Sequence, residues 1–214
     1  MLFWDPSMKT YVYIDAFNLY FGCVKNTPHK WLDLSKLCAI LLPQHQIERI
    51  KYFTAHVRAL PTNPDAPRRQ QVYLRALGTL ANFEIVYGHF LSHSVRMPLA
   101  HPAVGQPRTV EVIKTEEKGS DVNLAIHLLH DAYQNRYECA VIVSGDSDLL
   151  TAVQIVKNDI GKPVGVLNPQ KRPSRMLQQH ATFYKHIRLG VLAASQFPRV
   201  LRDAHGPFNK PPEW

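Results

Sequence analysis

Residues 139–148 read CAVIVSGDSD, five apolar residues followed at once by two aspartates among Ser and Gly. An uninterrupted apolar run of this length is the pattern of a strand buried on both faces, the usual state of strands in a parallel sheet. Ser144, Gly145, Asp146, Ser147 and Asp148 then stand at its carboxyl end and lead into a helix over 148–158. Outward from this point the same alternation recurs. Residues 11–14 (YVYI) predict a buried strand closed by Asp15, with Asn18 placed to begin a turn or cap a helix. Further strands are expected within 47–57 and at 83–87, 110–113, 164–167 and 183–184. Amphipathic helices are expected over 31–42, 68–80, 121–133 and 175–180. Strands alternating with helices give an α/β fold of three layers, a central mostly parallel sheet with helices on both faces.

Composition agrees with a folded domain. The chain has 214 residues, 45% of them hydrophobic and 20% charged, which excludes disordered and collagen-like classes. No apolar run is long enough for a membrane helix, and the opening residues carry Asp5 and Pro6 where a secretory leader would be apolar. Cys23, Cys38 and Cys139 are odd in number and lack a C-x-x-C pair, so neither a disulfide framework nor a Cys-based zinc site is expected. A cytoplasmic location follows as the expectation. The net charge of +8 is unevenly spread: residues 170–214 hold 8 Lys+Arg against 2 Asp+Glu. The expected organisation is a domain over 1–169 with a basic C-terminal extension, 170–214, packed on it through Phe208 and Trp214. A basic segment beside a nearly neutral body favours a polyanionic partner.

Within the domain, 88–108 holds Pro98, Pro102 and Pro107 with His89, His93 and His101. It reads as an irregular surface excursion that covers one edge of the site or mediates self-association into a homodimer. Its histidines lack partners at zinc-ligand spacing.

The aspartates carry the chemistry. In a parallel α/β sheet, a residue opening a helix and a residue closing the following strand lie on the same rim. Asp121 opens a helix in KGSDV (118–122), and Asp146 follows 25 residues later, the length of a helix, a turn and a strand. Asp15 closes its own strand on that rim, so Asp15, Asp121, Asp146 and Asp148 converge if the first strand lies beside 139–143. Each has an ordinary alternative role as a cap or a first-turn residue favoured by the helix dipole. Together they would repel unless a cation joins them, and oxygen-only ligands favour Mg²⁺ or Mn²⁺. Such a site clamps phosphoryl oxygens and activates water, as in metal-dependent phosphodiesterases. Glu116 and Glu117 precede KGSD and one can add a ligand, although solvent exposure is their primary reading. Ser144 and Ser147 can orient carboxylates, and Asn18 can hold Asp15 or a phosphate. Lys118, Arg68, Arg69, Lys171, Arg172 and Arg175 are the candidate phosphate contacts near this rim. Thr54 can line the site. Tyr20, Phe21 and Trp31 are candidates for base stacking, with core packing as the alternative.

These segments resemble the NYN domains of the PIN-like ribonuclease superfamily, with the LabA-like bacterial branch the nearest in pattern. The resemblance rests on YIDAFNLY (13–20), EEKGSDVNLAIHLLHDA (116–132) and VSGDSDLLTAV (143–153), with PDAPRRQQVYLRAL (64–77) and YGHF (87–90) in support. It covers about residues 10–169. It implies a PIN-like, Rossmann-like fold, with the first strand central in the sheet. It also implies Mg²⁺- or Mn²⁺-dependent hydrolysis of RNA, single-stranded or structured, with Asp15, Asp121, Asp146 and Asp148 as metal ligands. The 88–108 insertion and the tail depart from the minimal domain, so the choice of RNA is not implied. The alternative is a PIN-like RNA-binding or scaffold protein without turnover. A haloacid-dehalogenase phosphatase ranks lower, because Asp15 is followed by Ala16 and Phe17 where a D-x-D would be needed.

Overall fold

The computed structural model describes residues 8–102, 105 and 107–214; the opening Asp5 and Pro6, and Ala103, Val104 and Gln106 of the excursion, lie outside the described residues. The chain begins with β1 (Lys9–Asp15), which passes into α1 (Ala16–Leu19) and a π turn over Tyr20–Val24. Then come α2 (Leu34–Leu41), β2 (Gln46–Thr54), α3 (Ala66–Leu77), β3 (Phe83–Tyr87), β4 (His89–Pro98) and β5 (Thr109–Lys118). After α4 (Ser120–Tyr133) and β6 (Cys139–Val143), a tight turn over Ser147–Leu149 feeds α5 (Leu150–Gln154). The chain closes with β7 (Val164–Asn168), α6 (Arg175–His180), β8 (Phe183–His186), α7 (Leu189–Ala194), β9 (Val200–Asp203) and β10 (Gly206–Asn209).

Six strands form one sheet in the order β3-β2-β1-β6-β7-β8, and every neighbouring pair is parallel. β1 is central, with Ile14 opposite Tyr52 on β2 and Val143 on β6. The strand order therefore reverses direction between β1 and β6, and the crevice outside the carboxyl ends of those two strands is where sheets of this kind bind ligands. Side chains alternate between the two faces of each strand. Val12, Ile14, Val141 and Val143 pack into one core with Leu34, Leu37 and Leu77 of α2 and α3. Tyr13, Ala140 and Ile142 pack into the other with Leu124 and Leu128 of α4 and Val153 of α5. These two cores make the three layers expected from the alternation.

The excursion is more regular than its prolines and histidines indicate. His89–Pro98 pairs antiparallel with Thr109–Lys118 over ten residue pairs, from His89 opposite Lys118 to Pro98 opposite Thr109. The short strand expected at 110–113 is thus part of a long two-stranded ribbon outside the main sheet. Pro98 is tolerated because it is the last residue of its strand, and Pro102 and Pro107 fall beyond the paired strands. Leu91, Met97, Val110 and Ile113 on the ribbon are exposed.

Within 170–214, β8 completes the sheet, and β9 and β10 form a hairpin that returns to α3. Arg75 donates twice to the Asp203 carboxylate, at 2.7 Å each, and lies 4.1 Å from the Phe208 ring centroid. Phe208 is buried, and Trp214 packs against Trp31 and Tyr73. Among the described residues no helix is long and apolar enough to cross a membrane. The three cysteines are free thiols.

Candidate active site

The end of β1 places Asp15 at the switch point, 4% exposed and capping α1: its Oδ1 accepts the Asn18 N–H at 2.9 Å. Its Oδ2 accepts from Ser144 Oγ at 3.2 Å, which ties the ends of β1 and β6 together. Burial pushes the Asp15 carboxyl up to about 7; the nearby Asp121 and Asp146 add to this, and the two hydrogen bonds only partly offset it.

The SGD turn after β6 is held from both sides. Ser144 Oγ accepts the Asp146 N–H at 3.1 Å, while Asn18 Oδ1 accepts the Gly145 N–H at 2.9 Å and Gln170 Nε2 at 3.0 Å. Gly145 is required by this closeness, since a Cβ there would sit 2.6 Å from Gln170 Cγ and 2.7 Å from Asn168 Oδ1. Asp146 itself caps the following turn by accepting the Asp148 N–H at 3.0 Å. Its capping role and its place in the site are therefore compatible.

Gly119, with φ of +98°, makes the sharp entry to α4 that a residue with a Cβ would strain against. Asp121 follows in the first turn, where the helix dipole favours a negative charge. Partial burial, with Asp146, Glu117 and Asp148 nearby, nevertheless raises its carboxyl above the usual range. Glu117 Oε1 accepts both the N–H and the hydroxyl of Ser120, at 3.1 and 2.8 Å.

Asp15, Asp121, Asp146, Glu117, Asn18 and Gln170 line one cavity of about 520 Å³, walled by Phe17, Phe21, Phe90, Thr115 and Arg58 among others. Three of the four expected aspartates thus meet. Asp148 is exposed outside the wall and acts on Asp121 through space. Ser144 is buried behind Asp15, and Ser147 is exposed. Of the expected basic contacts, Arg69 lines a neighbouring cavity. Arg68 pairs at the surface with Glu213 and Asp65, and Lys118 pairs with Glu116. Lys171, Arg172 and Arg175 are exposed beyond the cavity wall. Thr54, Tyr20 and Phe21 line the neighbouring cavity, whereas Trp31 is core.

Of the lining residues, Thr115 and Arg58 escape a reading by motif, whereas Glu117 and Phe90 fall within the EEKGSDV and YGHF segments. Glu117, Thr115 and Phe90 arrive on the base of the ribbon, and Arg58 comes from the loop after β2 and reaches Ser92 Oγ at 3.1 Å. Alternation of polar and apolar residues over 109–112 (TVEV) was the available signal for the ribbon.

Among the described residues no three His, Cys, Asp or Glu side chains stand together closely enough to enclose a metal ion by themselves. The donors are nonetheless all oxygen, and the Asp15 carboxyl is held unusually high by burial, with Asp121 and Asp146 adding to it. That suits a hydrated hard cation of the Mg²⁺ type, which keeps several waters and needs only one or two carboxylates.

A model of the NYN domain matches residues 9–189. The chain belongs to the NYN domain family, within the PIN-like ribonuclease superfamily. It is also 31% identical to the 6-hydroxy-3-succinoylpyridine 3-monooxygenase HspA of Pseudomonas putida over 236 aligned residues, 97% of this chain and 75% of that protein. A crystal structure of a protein of unknown function from Vibrio parahaemolyticus RIMD 2210633 shares the fold, with a TM-score of 0.55 at 19% identity, over 86% of this chain and 96% of that one. The NYN match extends past Asn168 and takes in β8, the sixth strand of the sheet.

Proposed function

We propose that this NYN domain is a Mg²⁺- or Mn²⁺-dependent endoribonuclease, cytoplasmic in location, that hydrolyses RNA phosphodiester bonds with water as the nucleophile. The observation that carries this reading is the meeting of Asp15, Asp121 and Asp146 at the β1/β6 switch point, with Asp15 raised to about 7 by burial and by the other two. A divalent cation held there would supply a Lewis acid for the phosphoryl oxygens and lower the pKa of its water. Asp15, Asp121 and Asp146 are the residues to hold it, with Asp148 adding to the field from outside the wall. Asn18, Ser144 and Gln170 fix the orientation of Asp15 and of the SGD turn, so the carboxylates do not reorganise when the cation and substrate arrive. Glu117 presents a further carboxylate on the α4 side, anchored by Ser120.

The test is cleavage of end-labelled single-stranded RNA with Mn²⁺ or Mg²⁺. Cutting that is abolished by EDTA and by Asp146→Asn is the expected result. RNA that is bound equally by wild type and variant and never cut would overturn it in favour of a binding module or scaffold.

The name of the Pseudomonas relative favours a second reading, oxidation of a small pyridine-like acid. Incubation with 6-hydroxy-3-succinoylpyridine, a reduced nicotinamide cofactor and oxygen tests it directly. Substrate-dependent consumption of the reductant supports it, and its absence at high enzyme concentration removes it.

A further inference from the structure

A second cavity, about 320 Å³, adjoins the carboxylate cavity between α1, its π turn and α3. The two share Phe17, Phe21, Val57, Arg58 and Leu60, so they lie side by side as two chemically opposite halves. The carboxylate half holds four acids. The second half contains none: its charged lining residues are Lys25, Lys30, Arg58 and Arg69. Its lining includes six aromatic rings, with Tyr52 buried, Tyr73 and Trp214 edge to face at 5.6 Å, and Tyr20 against Phe21 at 5.2 Å. Phe21, which lines both cavities, is 60% exposed, and Lys25 Nζ lies 5.0 Å from its centroid.

Aromatic walls select a flat ring through stacking, and cations with no competing carboxylate select a negative substituent on it. The volume is at the small end for ligand pockets and suits a single ring with its substituent. We infer that this cavity binds a planar aromatic ring joined to an anionic group, and holds it so that the ligand's far end enters the carboxylate cavity. The same chemistry has two sources, a nucleotide of the RNA beside the cleaved bond or a free aromatic acid. The inference stands on the cavity and does not require the ribonuclease reading.

Isothermal titration of the full chain tests it, using AMP, 6-hydroxynicotinate, adenosine and inorganic phosphate as probes. AMP or 6-hydroxynicotinate is expected to bind, with adenosine and phosphate each at least tenfold weaker than AMP if AMP is the ligand. Ala66→Trp, which fills the cavity from the start of α3, and Phe21→Ala, at an exposed ring, should each weaken binding at least tenfold with an unchanged Tm. Binding of AMP identifies RNA as the source, and binding of 6-hydroxynicotinate alone identifies a free aromatic acid. Failure of both rings to bind at millimolar concentration, or undiminished binding by Ala66→Trp, overturns the inference. RNA cleavage assays separate the two readings. Cleavage by Ala66→Trp with unaltered KM, while Asp146→Asn is dead, removes nucleotide binding at this cavity and leaves the nuclease standing. Ring binding that Ala66→Trp abolishes, in a protein that cuts no RNA, does the reverse.

Discussion

Ser144 Oγ donates to Asp15 Oδ2 at 3.2 Å and so joins the last residue of β1 to the residue that follows β6. The bond orients Asp15 without neutralising it, and burial still holds the carboxyl up at about 7. A carboxyl raised in the fold costs nothing below its unfolded value, near 4, where both states are protonated. As pH rises from about 4 to about 7 the unfolded chain ionises first, so stability falls over that window and is level above it. The shift is worth on the order of 4 kcal/mol. Asp15→Asn should therefore be more stable than wild type at pH 8 in EDTA and equal to it at pH 4. Denaturant unfolding at both pH values checks this, and Mg²⁺ should raise the Tm of wild type alone.

The contact of the SGD turn with residues 168–170 yields a second prediction. Gly145→Ala drives a methyl group against Gln170 and Asn168, and both belong to the network that places Asn18. Overpacking of this kind costs about 1–3 kcal/mol. RNA cleavage should fall at least tenfold, more than the folded fraction does, when kcat is measured against unfolding in the same buffer.

What could be read from the chain in advance follows a physical division. Asp15, Asp121 and Asp146 were legible because each sits at the end of an element, and parallel α/β topology sends those ends to one rim. The buried run 139–143 and the alternation of strands and helices are local patterns, and they located the sheet. Glu117 was misjudged as mainly solvent-exposed because its position depends on the pairing of β4 with β5, a contact between distant residues across a Pro- and His-containing stretch. Arg58 and Gln170 lie in loops with no periodicity to show where a side chain turns. Arg68, Lys171, Arg172 and Arg175, the expected phosphate contacts, are exposed outside the cavity wall, because nearness to the rim does not fix the direction of a long side chain.

Away from the site, Lys51 on β2 is buried against Asp131 on α4 at 2.6 Å, and Tyr13 donates to the same Asp131 oxygen at 2.8 Å. Burial alone would raise the Asp131 carboxyl, but the hydrogen bonds from Lys51 and Tyr13 overcome it and leave it below the usual value. Asp131→Asn takes the close anion from the buried Lys51 ammonium and leaves only Glu84, at 3.9 Å, at a cost of up to about 3–5 kcal/mol. Removing the ammonium too, in Lys51→Met/Asp131→Asn, should recover part of that loss. Urea unfolding of the two single variants and the double variant checks it. The single loss exceeding the double is the expected sign.

The C-terminal hairpin depends on one cation. Arg75 on α3 grips Asp203 with two hydrogen bonds, donates to the Gly206 carbonyl at 3.2 Å, and stacks over Phe208. The hydrogen bond from Arg75 is the main cause holding the Asp203 carboxyl well below the usual carboxylate range. A depressed carboxyl contributes stability above its unfolded value and loses it as pH falls through the lower folded value, so this clasp should persist until strongly acidic pH. Arg75→Ala removes the clasp and the stacking together. Brief trypsin treatment at neutral pH should then cut at Arg199 and Arg202, where wild type resists, while the sheet core remains intact. Hydrogen exchange at Leu201 and Phe208, which pair across the hairpin, should accelerate in the variant, and that of Val141 in the central β6 should not.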